Sequence, residues 1–148
     1  MTRTAFSFRV LGHATGKARP RVVRGHAFTP KRTLDAEFAV KLHALSARPP
    51  AWPLAAESYS VDVSIYERRG KGGGRRGPPP DLDNVAKMIL DALIGVAFAD
   101  DRQVDVIVVA RSWTPGAPST LVTVRRYLST EHADARLATA WLDPTEAT

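Results

Sequence analysis

Between Pro78 and Gln103 the chain reads PPPDLDNVAKMILDALIGVAFADDRQ. This stretch holds five of the fifteen acidic residues of a protein whose formal net charge is +6. Four of the five, Asp81, Asp83, Asp100 and Asp101, bracket one apolar segment. Carboxylates drawn together raise one another's pKa unless a cation lies between them. A divalent ion resolves that conflict: clustered carboxylate oxygens with room for water are the donor set of Mg²⁺, with Mn²⁺ as a substitute, and both ions take substrate phosphate oxygens as further ligands. Such an ion lowers the pKa of a bound water and stabilises charge developing on a phosphate. Lys87, one turn beyond Asp83, would polarise the phosphate, hold the attacking water, or simply pair with Asp83. Taken singly, each acid has a plainer reading. Asp81 suits a helix N-cap, Asp83 a first turn facing the helix dipole, Asp91 an exposed partner for Lys87, and Asp100-Asp101 a turn. It is their joint occurrence that points to a metal site.

The elements that must position these groups follow from the same stretch. Three prolines cannot extend a helix backwards, and Asp81-Leu82-Asp83-Asn84 supplies oxygens for the orphan amides of a first turn, so a helix starts near Asp81. Leu82, Val85, Ile89, Leu93 and Val96 recur at three and four residues and form its core-facing stripe. Asp83, Lys87 and Asp91 then form a polar ridge on another face. Gly95 loosens the helix end, and a short loop carries Asp100 and Asp101 to the strand-like QVDVIVVARSW.

D-L-D-N-x-x-K, an apolar helix, and D-D-x-Q-V running into a strand together resemble the signature of the RusA-type Holliday junction resolvases. These are also called crossover junction endodeoxyribonucleases, and many are encoded by phages and prophages. Upstream, GKARPRVVRGHAFTPKRT is similar to the G-K-x-R-P-R segment of some phage members. The resemblance implies essential carboxylates at Asp81, Asp83 and Asp101, an essential lysine at Lys87 and a supporting acid at Asp100. It also implies a small homodimeric, Mg²⁺-dependent endonuclease of recombination and repair that nicks two opposite strands of a four-way DNA junction. A long Gly/Arg insert before the motif and an Ala-rich tail depart from the family pattern and bear on DNA contact more than on the catalytic core.

The charge layout agrees with a polyanionic substrate. Eight Lys or Arg and no acid precede Asp35, and a second basic run immediately precedes the acidic cluster. Basic flanks neutralise phosphates, while the acids between them need a metal to tolerate one. Candidate DNA contacts in the first run are Lys17, Arg19, Arg21, Arg24, Lys31 and Arg32. Those in the second are Arg68, Arg69, Lys71, Arg75 and Arg76. With 148 residues the chain is expected to be one domain. It has no cysteine, hence no disulfide framework or thiolate zinc site, which suits a reducing cytoplasm. No apolar run is long enough for a secretory segment or a membrane span.

Along the chain, TAFSFRVLG alternates Phe6, Phe8 and Val10 inward as a strand. Gly16-Lys17 is not a phosphate loop, because the spacing from Gly12 is one residue short and Ala18 stands where Ser or Thr should bind the metal. Arg19 to Thr29 reads as a basic hairpin turning at Arg24-Gly25, and Pro30 to Ala47 as a helix packing through Leu34, Phe38, Leu42 and Leu45. Trp52 reads as a core cap rather than a base-stacking group. SYSVDVSIYE reads as a central strand. Residues 67–80 read as a flexible basic loop that orders on DNA or as a solvated insert. Val104 to Trp113 and Leu121 to Leu128 are expected to be antiparallel neighbours, and residues 129–148 a tail that packs through Leu137, Trp141 and Leu142. The four histidines share no ligand spacing, which argues against zinc. The expected fold is α+β, a mixed, largely antiparallel sheet with two main packing helices. Two rivals to a junction resolvase stand at this point: a non-catalytic basic DNA-binding accessory protein, whose acids are caps and ion-pair partners, and a nuclease acting broadly on branched DNA.

Overall fold

The computed structural model describes residues 5–56, 58–68 and 78–127. Alternating apolar and polar residues make strands of Ala5–Leu11 (β1), Ser58–Arg68 (β4), Val104–Thr114 (β5) and Ser119–Tyr127 (β6). A short hairpin, Arg21–Val23 (β2) and His26–Phe28 (β3), turns at Arg24 (φ 50°) and Gly25 (φ 80°). Two consecutive positive φ values give a tight turn that matches strand twist, and glycine supplies the second without a steric cost. The helices are Lys31–Ala47 (α1) and Leu82–Leu93 (α2).

The main sheet has the order β1-β6-β4-β5, antiparallel except for the parallel β4–β5 pair. β4 is central, as expected, and its inner residues Tyr59, Val61, Val63 and Ile65 are all buried. Both helices lie against this sheet, α1 by β1 and α2 by β5, and they pack on each other. α2 contributes Val85, Ile89 and Leu93 to the core, Val96 follows just beyond the helix, and Leu82 is half-buried at its edge. Each such fully buried aliphatic side chain stabilises the fold by about 1.5–3 kcal/mol. Trp52 is buried edge-on against Phe6 at 4.8 Å and donates its indole N–H to the Ala97 carbonyl at 2.8 Å, so it caps the core. Among the described residues no helix is long and apolar enough to cross a membrane.

Three expectations need correction. First, β5 and β6 run in opposite directions but are not neighbours: β4 lies between them, and Pro115 to Pro118 carry the chain past its end. β4, with its continuous apolar inner face, takes the place between two partners. Second, α1 turns Thr33, Val40 and Ala44 inward and leaves Leu34, Phe38, Leu42 and Leu45 between 43% and 62% exposed. Small side chains let α1 approach β1 and α2 closely, so the narrow stripe is buried rather than the bulky one. Third, Glu67 and Arg68 belong to β4 and not to a loop, and Glu67 is fully buried.

Candidate active site

α2 begins as the triple proline and Asp81 require. Asp81 is the N-cap residue, extended at φ −62° and ψ 145°, and its carbonyl accepts the Val85 N–H at 3.1 Å. Its carboxylate makes no capping bond. Asp83 lies in the first turn and Lys87 one turn on, and all three side chains are exposed. Among the described residues none of the three enters an ion pair or a side-chain hydrogen bond. Capping and local pairing therefore do not account for them.

The first turn of α2 is held from two sides. Residues 14–18 press against it: the Lys17 N–H donates to the Asn84 carbonyl at 2.9 Å, and a Cβ at Gly16 would meet Pro80 Cβ at 3.0 Å and Asn84 Cβ at 3.2 Å. The absence of a side chain at Gly16 permits this close approach. From β5, the Arg111 guanidinium donates to the Pro80 carbonyl. Lys17 Nζ contacts Glu37 of α1 at 2.5 Å and Asp91 of α2 at 2.8 Å. Burial works against its charge, but hydrogen bonds to Asp91 and Glu37 outweigh it and raise its pKa. Two expectations change here. Asp91 pairs with Lys17 and not with Lys87, and Lys17 is a strut between the helices rather than a free DNA contact.

Asp100 and Asp101 open a 3₁₀ turn, Asp101–Gln103. The Asp100 carboxylate accepts from the Arg102 N–H at 2.9 Å and is gripped by the Arg102 guanidinium at 3.0 and 2.8 Å, which holds its pKa well below the usual carboxylate range. The Gln103 side chain accepts from the Asp100 N–H at 2.9 Å and donates to the Ala56 carbonyl at 2.9 Å, completing a capping box pinned to the body. Asp100 is thus committed to the turn, whereas Asp101 is exposed.

This turn leads into Val104, which pairs with Tyr59 at one end of β4. Arg111, the residue touching Pro80, pairs with Ile65 towards the other. At about 3.3 Å per strand residue, those two points on β5 are roughly 23 Å apart. Within one chain Asp101 therefore does not converge with Asp81 and Asp83, as the sequence had suggested. No group of three acidic or histidine side chains placed to hold a metal occurs among the described residues.

The basic residues gather mainly at the Asp81 end. A cleft of about 520 Å³ is lined by Arg19, Arg21 and Arg32 together with Pro80 and Asn84. Arg24 at the hairpin turn, Lys31 at the start of α1 and Arg68 at the end of β4 are exposed. Arg69, Lys71, Arg75, Arg76 and the 129–148 tail lie outside the described residues. One contact had no signal in the sequence: His13 Nδ1 lies 2.6 Å from the buried Glu67 carboxylate. The partners are far apart in the chain and follow no spacing rule.

Uncommitted carboxylates and a lysine thus stand on the first turns of α2, and Pro80 and Asn84 of the same segment line the arginine-rich cleft. The family model for endodeoxyribonuclease RusA matches residues 12–125, from the loop after β1 into β6, and the chain belongs to this family of Holliday junction endonucleases. No curated protein matches the chain.

Proposed function

We propose that this protein is a divalent-metal-dependent endonuclease that resolves four-way DNA junctions by paired, symmetric nicks, working as a homodimer. The observation that carries the reading is the set of unpaired Asp81, Asp83 and Lys87 side chains on the first turns of α2, next in sequence to Pro80 and Asn84, which line the arginine-rich cleft. The donor set fits Mg²⁺ or Mn²⁺, since the exposed carboxylates are committed to no cap or ion pair. Asp81 and Asp83 would supply one half of the ion's ligands and Asp101 the other. Because one chain holds the halves at opposite ends of α2, two copies related by a two-fold axis each complete the partner's site. A bound ion supplies a water of lowered pKa and neutralises charge on the phosphate. Arg19, Arg21 and Arg32 hold the strand, Lys87 faces the scissile phosphate, and Asp100 keeps the Asp101 turn in shape. Two such sites, symmetry-related, suit two nicks in one junction.

The test is cleavage of a mobile four-way junction with Mg²⁺ and with chelator, beside linear duplex, forks and flaps. Asp83→Asn is expected to abolish cutting and leave binding intact; cutting at the wild-type rate by that variant defeats the metal role. Equal rates on all branched substrates point to a broader branched-DNA nuclease. The separation of Asp101 from Asp83 within a chain favours a second reading, a non-catalytic DNA-binding accessory protein. That reading predicts steeply salt-dependent binding and no Mg²⁺-dependent nicking.

A further inference from the structure

A second cavity, of about 530 Å³, lies between the end of β1 and the facing sides of α1 and α2. Its floor is Val40, Val85, Met88, Ile89 and Val122, all buried in the core. Along α1 its wall is Ala36 and Ala39, whose short side chains leave the space open. Apolar walls with a few polar groups, at volumes of about 300–1,000 Å³, are the make-up of a ligand pocket. The exposed residues Leu11, Lys31, Arg32 and Asp35 mark its mouth. Leu11 there is 77% exposed, a large apolar side chain left in water. Asp35 stands past the first turn of α1, and among the described residues it enters no ion pair or side-chain hydrogen bond. Ala14, Thr15 and Arg32 line both this cavity and the arginine-lined cleft, so the two are contiguous.

We infer that this cavity receives one unstacked nucleobase of the bound junction, and that Asp35 selects bases carrying an exocyclic amino group. The inference rests on the junction reading above and adds a subsite to it. A phosphate held by Arg32 at the cleft brings its own base to the neighbouring cavity. Arg32 and Asp35 are three residues apart on α1, with Cβ atoms about 5–6 Å apart, a span that one nucleotide bridges. Bases at a four-way branch point lack a continuous stack, so extruding one costs less there than inside a duplex. The apolar walls and Leu11 take the faces of the ring out of water. The Asp35 carboxylate accepts from the amino group of cytosine, adenine or guanine. Thymine presents one N–H between two carbonyl oxygens, which a carboxylate repels. A free apolar small molecule is the rival occupant, but it would have no use for the phosphate-binding arginine at the mouth.

The test is made in chelator, which keeps the strands whole. 2-Aminopurine carries an amino group and brightens on unstacking, and it is placed in turn at each branch-point position of a four-way junction. Saturating protein is expected to raise its emission several-fold at one or more of these positions and to leave it unchanged within the arms. Ala39→Leu fills the cavity and is expected to abolish the rise while the salt dependence of binding stays as in the wild type. Asp35→Ala, at an exposed position, is expected to keep the rise. It should lose a preference of about fivefold or more for cytosine over thymine at the responding position, whatever the lost charge does to affinity overall. No rise at any branch-point position, a rise that survives Ala39→Leu, or an unchanged base preference in Asp35→Ala overturns the inference. Should Ala39→Leu fail to fold, the Asp35→Ala comparison decides alone. A response to the junction with no Mg²⁺-dependent cutting supports the cavity and overturns the nuclease reading. Cutting without any response overturns the cavity and leaves the nuclease reading standing.

Discussion

Lys17→Met removes the ammonium group that ties Glu37 to Asp91 while keeping an apolar stem of similar length. The contacts are 2.5 and 2.8 Å, between side chains 27%, 22% and 35% exposed. Solvent thus screens the cluster less than a surface pair and more than a buried one. An exposed pair contributes about 0.2–1 kcal/mol, and losing the shared cation leaves two carboxylates facing each other, so the net cost is about 1–2 kcal/mol. For a domain of this size that lowers Tm by roughly 3–8 °C. The salt dependence of junction binding should not change, because a lysine held by two carboxylates neutralises no phosphate. Arg19→Ala or Arg21→Ala should do the opposite, leaving Tm nearly unchanged and reducing the slope of log K against log salt by about 0.9. Thermal unfolding and binding titrations over a salt series measure both quantities. An unchanged Tm with a shallower slope in Lys17→Met would refute the strut. The pH dependence has a definite sign. The folded pKa of Lys17 lies above its unfolded value, so its contribution is complete below about pH 10.4 and is lost as pH climbs through the higher folded value. The Tm gap between wild type and variant should therefore hold from neutral pH to about 10 and close above it.

Other outcomes follow from the same geometry. Asp83→Asn and Asp101→Asn are each expected to be inactive alone. Mixed and allowed to exchange subunits, they should regain about a quarter of wild-type nicking, since half the dimers are mixed and each of these has one intact shared site; no recovery would show that each chain builds its own site. Gly16→Ala pushes a Cβ into Pro80 and Asn84 and should destabilise by about 1–3 kcal/mol in denaturant titrations, with slower cutting as the Asp81 turn shifts. Trp52→Phe keeps the edge contact with Phe6 but strands the Ala97 carbonyl. It should cost about 1–3 kcal/mol and leave junction affinity unchanged.

Local physics alone determined much of this protein. The triple proline and Asp81 set the start of α2, Arg24-Gly25 set the hairpin turn, and strict alternation through Tyr59, Val61, Val63 and Ile65 set a central strand. Each of these signals is complete within a few residues. The carboxylates and Lys87 were legible for a similar reason, because their types and spacing are unusual together. Tertiary structure decided what depends on neighbours distant in sequence. α1 carries two stripes at helical period, and the available space, not hydrophobicity, chose Thr33, Val40 and Ala44 over Leu34 and Phe38. Asp91 lies four residues from Lys87 yet pairs with Lys17, because the loop at Gly16 brings that cation closer and less solvated. Asp101 follows α2 closely in the chain but ends at the far end of β5, since a helix and the strand beneath it run in opposite directions and carry their termini apart.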